Sequence, residues 1–178
     1  MTERERSIET PRVSTVVRAW HDADWYVHVT AADGRIVRTE FVRYTDSERD
    51  SAEPVLRSAR DQIRRYFDGT LRTFDLPLAP EGSEFARSVW RAVASIPYGE
   101  LRTYGEIATD VGSPRAAVAV GAANAANPIA LIIPCHRVIG AGGDLRGYAY
   151  GLDLKRRLLD FEGARSLRRN STRTQQLF

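Results

Sequence analysis

The chain is short of several residue types, and each shortage excludes something. Its 178 residues hold one cysteine, one methionine, three histidines and, among 26 basic residues, one lysine. One cysteine builds no disulfide framework. The Cys and His clusters of a structural zinc site are missing, so no metal and no cofactor is expected. No apolar run is long enough to span a bilayer. The start, Met1-Thr2-Glu3-Arg4-Glu5-Arg6, is charged with no apolar segment behind it, so neither a membrane helix nor a signal peptide is expected. A lone thiol without an export signal fits a reducing cytoplasm.

What is present is modestly basic, with net charge +3 and a pI near 9.3, which permits a polyanionic partner without requiring one. The lone thiol lies in Ile133-Pro134-Cys135-His136-Arg137-Val138. A free cysteine is commonly a small buried hydrophobe. A proline before it and an imidazole after it open a second reading, a tuned nucleophile. Lys155 follows within twenty-odd residues. An ammonium can shift its pKa on burial where a guanidinium cannot, so a single lysine in an arginine-rich chain is informative.

Residues 15–20 and 25–30 are rich in β-branched and aromatic side chains and predict strands. Asp33-Gly34 predicts a hairpin turn, and residues 36–42 the returning strand. Leu56, Ala59, Ile63 and Phe67 recur at helical spacing behind Pro54, predicting a helix that ends near Asp68-Gly69. Residues 1–75 thus read as a small α/β domain, and the Pro- and Gly-containing stretch 76–83 as a linker. Residues 84–165 read as a second, mostly helical domain. It opens on an amphipathic helix with Phe85, Val89, Trp90 and Val93 on one face and closes on a helix over 153–161. Residues 166–178 are polar and basic and predict a flexible tail.

Residues 104–111 predict a short helix. Gly112-Ser113-Pro114 then supplies a turn, an N-cap serine and a proline at the first helical position, and residues 115–125 predict a second helix. Two short helices across a glycine turn fit a helix-turn-helix, and equally a plain helical hairpin. The second helix is smooth: mostly Ala116, Ala117, Val118, Ala119, Ala122, Ala123 and Ala125, with Arg115 its one charge. It has few of the Arg, Asn and Gln forks that read base edges in a major groove, and suits a minor groove better.

Taken in order, Val89-Trp90, Ile96-Pro97-Tyr98-Gly99-Glu100, Thr103-Tyr104-Gly105-Glu106-Ile107-Ala108, Asn127-Pro128, the Pro-Cys-His-Arg segment, Gly147-Tyr148 and Gly151-Leu152 with Lys155 closely resemble the O6-alkylguanine-DNA alkyltransferases. The likeness is strong over residues 84–163 and only in outline before them. It implies an α/β N-terminal domain, a small antiparallel sheet with a helix in a ribonuclease H-like arrangement, and a mostly α-helical C-terminal domain with a helix-turn-helix. It implies that Cys135 accepts an alkyl group from O6 of a guanine flipped out of double-stranded DNA, once per molecule. His136 is then expected to reach Cys135 through a water and to be oriented by Glu162, as in a nucleophile–base–orienter triad. Tyr104 would hydrogen-bond the base, Lys155 would supply positive charge, and Asn127 would brace the site through a tight turn. Tyr148, Ala149, Tyr150 and Val138 would line the base pocket, and Arg115, Val118, Ala119 and Ala122 would face DNA with Tyr104. The chemistry fits a thiol: with a pKa of about 8.5, roughly 3% is thiolate at pH 7, so the expectation is a lowered pKa at Cys135.

Three positions depart from the family. Val118 stands where an arginine usually fills the gap left by the flipped base, with Arg115 at i, i+3 spacing as a substitute. Ala149 replaces a serine. Tyr150 replaces a common glycine and is expected to narrow the pocket, favouring methyl over benzyl-sized groups. The end, Gln175-Gln176-Leu177-Phe178, resembles peptides that dock on the bacterial sliding clamp, or carries a chance hydrophobic terminus. Two other functions compete with alkyl transfer. A non-catalytic sensor of alkylated DNA typically carries Trp in place of the cysteine. A cysteine hydrolase draws its Cys and His from separated segments. Adjacent residues of an extended segment point to opposite sides, so direct contact between Cys135 and His136 is not expected.

Overall fold

A computed structural model describes residues 11–20, 24–43 and 50–164. The expected tail, 166–178, and with it the clamp-like end Gln175–Phe178, lies outside the described residues. Three antiparallel strands, β1 (Val13–Arg18), β2 (Trp25–Ala32) and β3 (Arg35–Arg43), form a sheet in sequence order. The β2–β3 turn has positive φ at both Asp33 and Gly34, as a tight right-twisted hairpin requires. Helix α1 (Pro54–Phe67) buries Leu56, Ala59 and Ile63 as its periodicity predicts, but the fourth fully buried side chain is Tyr66, with Phe67 only half-buried beside it.

Within residues 76–83, expected as a linker, Pro77–Ala79 pair with β3 at Ile36. The Ile36 N–H donates to Pro77 O at 2.8 Å, and the Ala79 N–H donates to Ile36 O at 2.9 Å. The same strand also meets the second half of the chain, where the Thr39 N–H donates to Pro128 O and the Ala130 N–H to Thr39 O. Apolar side chains of the sheet, α1 and the later helices join one continuous core. This matters for the site, because the turn that presents Cys135 is tied to the sheet.

Helix α2 (Glu84–Ala94) is capped by Ser83, whose hydroxyl accepts from the Ala86 N–H. It buries Val89, Trp90 and Val93. The Trp90 indole N–H donates to Ala123 O at 2.8 Å, fastening α2 to α4 (Ala117–Ala125). Strands β4 (Arg102–Thr103) and β5 (Val138–Ile139) form a two-residue parallel pair that periodicity does not reveal. Between them α3 (Tyr104–Asp110) starts on a capping box of Thr103 and Glu106.

The start of α4 differs from expectation. Ser113 does not cap it, because it closes α3 instead. Gly112 at φ +73° allows Gly112 N–H to bond Thr109 O and Ser113 N–H to bond Ala108 O, the paired bonds of a Schellman end. Pro114 and Arg115 then form a turn closed by the Ala116 N–H on Ser113 O, and the helix begins at Ala117. Arg115 therefore precedes α4, and its predicted helical spacing to Val118 does not apply. Helix α5 (Leu152–Phe161) ends the described chain. Among the described residues no helix is long and apolar enough to cross a membrane, and no group of three or more His, Cys, Asp or Glu is placed to hold a metal.

Candidate active site

Cys135 opens a one-turn 3-10 helix, Cys135–Arg137, after a tight turn. Asn127 builds that turn. Its Nδ2 donates to Ile133 O at 2.8 Å, and its Oδ1 accepts from the Ile129 N–H at 3.0 Å. Both halves of one amide thus fix the backbone on either side of Leu131, which sits at φ +73°. The Cys135 segment is not extended as expected, and successive side chains of a 3-10 turn are about 120° apart. Cys135 and His136 therefore still point different ways, for another reason.

Glu162 reaches His136 because α5 stops there. Glu162 is the C-cap, and Gly163 at φ +67° lets Gly163 N–H bond Asp160 O and Ala164 N–H bond Leu159 O. Its carboxylate is fully buried and richly bonded. Oε1 accepts from His136 Nε2 at 3.0 Å, from an Arg137 terminal nitrogen at 2.8 Å and from the Tyr66 hydroxyl at 2.6 Å. Oε2 accepts from Arg137 Nε at 2.9 Å and from the Gly99 N–H at 3.4 Å. The other terminal nitrogen of Arg137 donates to Ile96 O at 2.6 Å. Arg137 stood in the sequence motif without a role, and here its Nε and one terminal nitrogen grip both oxygens of Glu162. Tyr66 and Asn124 carry no signal in the sequence, because their partners lie 96 and 11 positions away, outside any local pattern.

The electrostatics follow from burial and these partners. Burial works to raise the Glu162 pKa, but hydrogen bonds from His136 and Arg137, with their charges, hold it well below the usual carboxylate range. Burial pulls His136 below its ordinary value, outweighing Glu162, so the imidazole is neutral. With Nε2 donating to an ionised Glu162, Nδ1 is a bare acceptor, and it is buried with no partner among the described residues. Burial also pushes the Cys135 thiol up, despite the opposing pull of Asn127 and Lys155. The lowered thiol pKa expected from the sequence is not found, because the dry surroundings outweigh the nearby positive charge. The resting pair is a neutral thiol and a neutral imidazole.

Lys155 is buried. Its Nζ donates to Val138 O at 2.7 Å, Arg146 O at 2.8 Å and Gly147 O at 3.5 Å, and burial lowers its pKa to about 8. It pins the 140–151 loop onto β5 and also biases Cys135 electrostatically. Val138 was expected in the pocket wall, but its side chain lies in the core, and its backbone alone meets the site, the carbonyl accepting from Lys155 and the N–H donating to Cys135 O. Tyr104 packs its ring near Gly121, and its hydroxyl donates to Arg146 O at 3.3 Å. Burial keeps its phenol protonated, hence a donor. The Asn124 Nδ2 donates to Cys135 O at 3.2 Å. Tyr148 stands edge-on to Tyr150 at 5.5 Å, and its buried hydroxyl has no partner among the described residues. Tyr150 in turn stands edge-on to Phe41 of β3 at 5.5 Å, and burial pushes its phenol up to about 12. Ala149 is exposed beside them. On α4, Val118 is 90% exposed, and Ala119 and Ala122 are exposed with it, as is Arg115 in the preceding turn. The structure therefore gathers Cys135, His136, Glu162, Asn127, Tyr104, Lys155, Tyr148 and Tyr150 around one turn, and leaves Arg115, Val118, Ala119 and Ala122 on an outer face.

Residues 84–164 match the family profile described as the DNA-binding domain of 6-O-methylguanine DNA methyltransferase. A methylated-DNA–protein-cysteine methyltransferase of Methanosarcina acetivorans is 60% identical over 112 residues, which cover 63% of this chain and 72% of the relative. One from Mycolicibacterium paratuberculosis is 55% identical over 120 residues, covering 67% and 70%. The crystal structure of the Mycobacterium tuberculosis O6-methylguanine methyltransferase superimposes with a TM-score of 0.73 at 38% identity, covering 86% of this chain and 94% of that one. The same organism's OGT in complex with DNA gives 0.70 at 42% identity, covering 80% and 91%. This chain belongs to the methylated-DNA–protein-cysteine methyltransferase family.

Proposed function

We propose that the protein repairs alkylated DNA by moving an alkyl group, chiefly methyl, from O6 of guanine to Cys135. One observation carries this most of the way. Three buried polar atoms without a partner among the described residues, His136 Nδ1, Asn124 Oδ1 and the Tyr148 hydroxyl, belong to neighbours of the chain's only thiol. Buried polar atoms are almost always paired, and exceptions cluster where a substrate is to bind.

The step balances simply. His136 Nδ1 takes the Cys135 proton through a bridging water, and the sulfur attacks the methyl carbon. The S–C bond forms as the C–O6 bond breaks, leaving its electron pair on guanine. A proton returned from the imidazolium, with the Tyr104 hydroxyl donating to the base, neutralises the leaving guanine. A thioether is not readily hydrolysed, so each molecule acts once. Because the resting thiol is un-ionised, proton removal belongs to the reaction itself and not to a preformed ion pair.

The base must leave the stack to reach this depth, which costs least for an ill-paired, alkylated guanine. We read α3, the Gly112–Ala116 turn and α4 as a helix-turn-helix whose smooth face of Val118, Ala119 and Ala122 enters the minor groove, with Arg115 beside it on a phosphate. Residues 84–165 then form the DNA-binding and active-site domain, and residues 1–75 a ribonuclease H-like companion. The protein works in the cytoplasm on double-stranded DNA. Contact with a sliding clamp rests on Gln175–Phe178 alone, and a pull-down with and without the last five residues tests it.

Mass spectrometry after incubation with a duplex containing O6-methylguanine tests the transfer. One methyl on Cys135 with no turnover is expected. Binding without a mass gain would instead make the protein a sensor.

A further inference from the structure

Glu162 is bonded beyond what orienting an imidazole requires. Arg137 alone matches its charge and satisfies both oxygens. Yet Oε1, the oxygen that holds His136, also accepts the Tyr66 hydroxyl at 2.6 Å, the shortest of its contacts. Tyr66 comes from the other half of the chain, in the last turn of α1, and its ring is fixed on every side. It stacks on Phe74 at 5.4 Å and meets Tyr98 at 5.9 Å and Phe161 at 5.6 Å. Tyr66 is fully buried, so its hydroxyl has no solvent alternative.

We propose that Tyr66 is a positioning residue for alkyl transfer: by donating to Glu162 Oε1 it draws off carboxylate charge and so sets how strongly His136 takes the Cys135 proton. An unshared carboxylate would favour a resting imidazolium. One divided among a guanidinium, a phenol and a backbone N–H favours it less, and leaves the imidazole neutral with Nδ1 free to accept. The groups facing His136 are few. Lys155 comes from α5 and Glu162 from its C-cap, Arg137 and Cys135 from its own turn, and Tyr66, Tyr98 and Tyr148 act through Glu162 from α1, the loop before β4 and the 140–151 loop. Of these, Tyr66 is a neutral donor on the same oxygen as His136. Its removal therefore changes the carboxylate without adding or deleting a charge.

The inference rests on the proposed function only for its kinetic arm. The full chain is compared with Tyr66→Phe, which keeps the ring and its packing, and with 3-fluorotyrosine at position 66, a stronger donor. The readouts are the His136 titration by NMR and the pH profile of single-turnover methyl transfer from an O6-methylguanine duplex. Tyr66→Phe is expected to raise the His136 titration by about one pH unit and carry the acid limb of the profile with it. Fluorotyrosine is expected to move both the other way. In a Glu162→Gln background, Tyr66→Phe is expected to add no shift. A His136 titration unmoved by either Tyr66 substitution, with only the melting temperature lowered, would make Tyr66 a structural staple and overturn the proposal. Absence of methyl uptake by the unsubstituted chain would instead count against the proposed function, with the NMR arm still deciding the role of Tyr66.

Discussion

The cluster around Glu162 and the outer face of α4 are opposite solutions to the placing of side chains. In the first, a carboxylate, a guanidinium, an imidazole and a phenol are buried together, and nearly every polar atom has a partner. In the second, a valine is 90% exposed among alanines, with no polar group to satisfy. Unpaired buried charge costs several kcal/mol, whereas a lone exposed valine costs little. The cluster is therefore held by energy, and an atom it leaves unpaired, His136 Nδ1, is the one the proposed proton transfer uses. The α4 face is free to be smooth, and its use lies in what it can be pressed against.

The largest test of this contrast is stability. Arg137→Ala leaves Glu162 buried without its counter-charge, and a loss of about 3–5 kcal/mol is expected by urea denaturation. Val118→Ala should stay within about 0.5 kcal/mol. Equal effects would erase the distinction between the two regions.

The second test is acid. Glu162 is held below its unfolded pKa, so its stabilisation is present above about pH 4.3 and is lost as pH falls through the folded value. His136 is also depressed. The unfolded chain takes up its proton first, so stability already declines as pH falls through about 6.5. Both act in the same direction. Glu162→Gln is expected to remove the lower part of the acid slope, measured as unfolding free energy from pH 7 to 3, and Val118→Ala to leave the slope unchanged.

How far the sequence reveals these two regions differs for the same physical reason. Helices α1, α2 and α5 follow from periodicity, and the β2–β3 hairpin follows from Asp33-Gly34, because both signals are local. So does the smoothness of α4. Its start is misjudged because Ser113 offers two local uses, a cap for α4 or the closing of α3, and Gly112 decides for the latter. The cluster is only half legible. His136 and Glu162 follow from resemblance, and Arg137 lies in plain view without a role. Tyr66 is 96 positions from its partner and leaves no pattern to read. The direction of the thiol shift depends on total burial, which no short segment encodes.

Tyr150 belongs to neither region and leans on Phe41 of β3 from the loop that Lys155 pins. If its ring limits the pocket, the unsubstituted protein should take methyl from O6-methylguanine DNA faster than benzyl from benzylguanine. Tyr150→Gly should improve the benzyl-to-methyl ratio roughly tenfold, in the range that shape discrimination at an apolar pocket gives. A ratio unmoved by Tyr150→Gly would place the limit elsewhere.

The smallest expected effect concerns Arg115. Had it lain on α4, its guanidinium would share the helical face of Val118 and reach for the gap left by a flipped base. It lies instead in the turn before the helix, exposed, where a long cation meets a phosphate more readily than a base. These placements predict different outcomes for Arg115→Ala. If the guanidinium binds a phosphate, its removal should weaken binding to all duplexes alike and reduce the salt slope by about one. If it fills the gap, its removal should slow transfer from a flipped base while leaving undamaged duplex binding almost unchanged. Titrating undamaged and O6-methylguanine duplexes across salt concentrations separates the two. From its place in the turn, the first outcome is expected for Arg115, and Val118 is the only large apolar side chain exposed on α4.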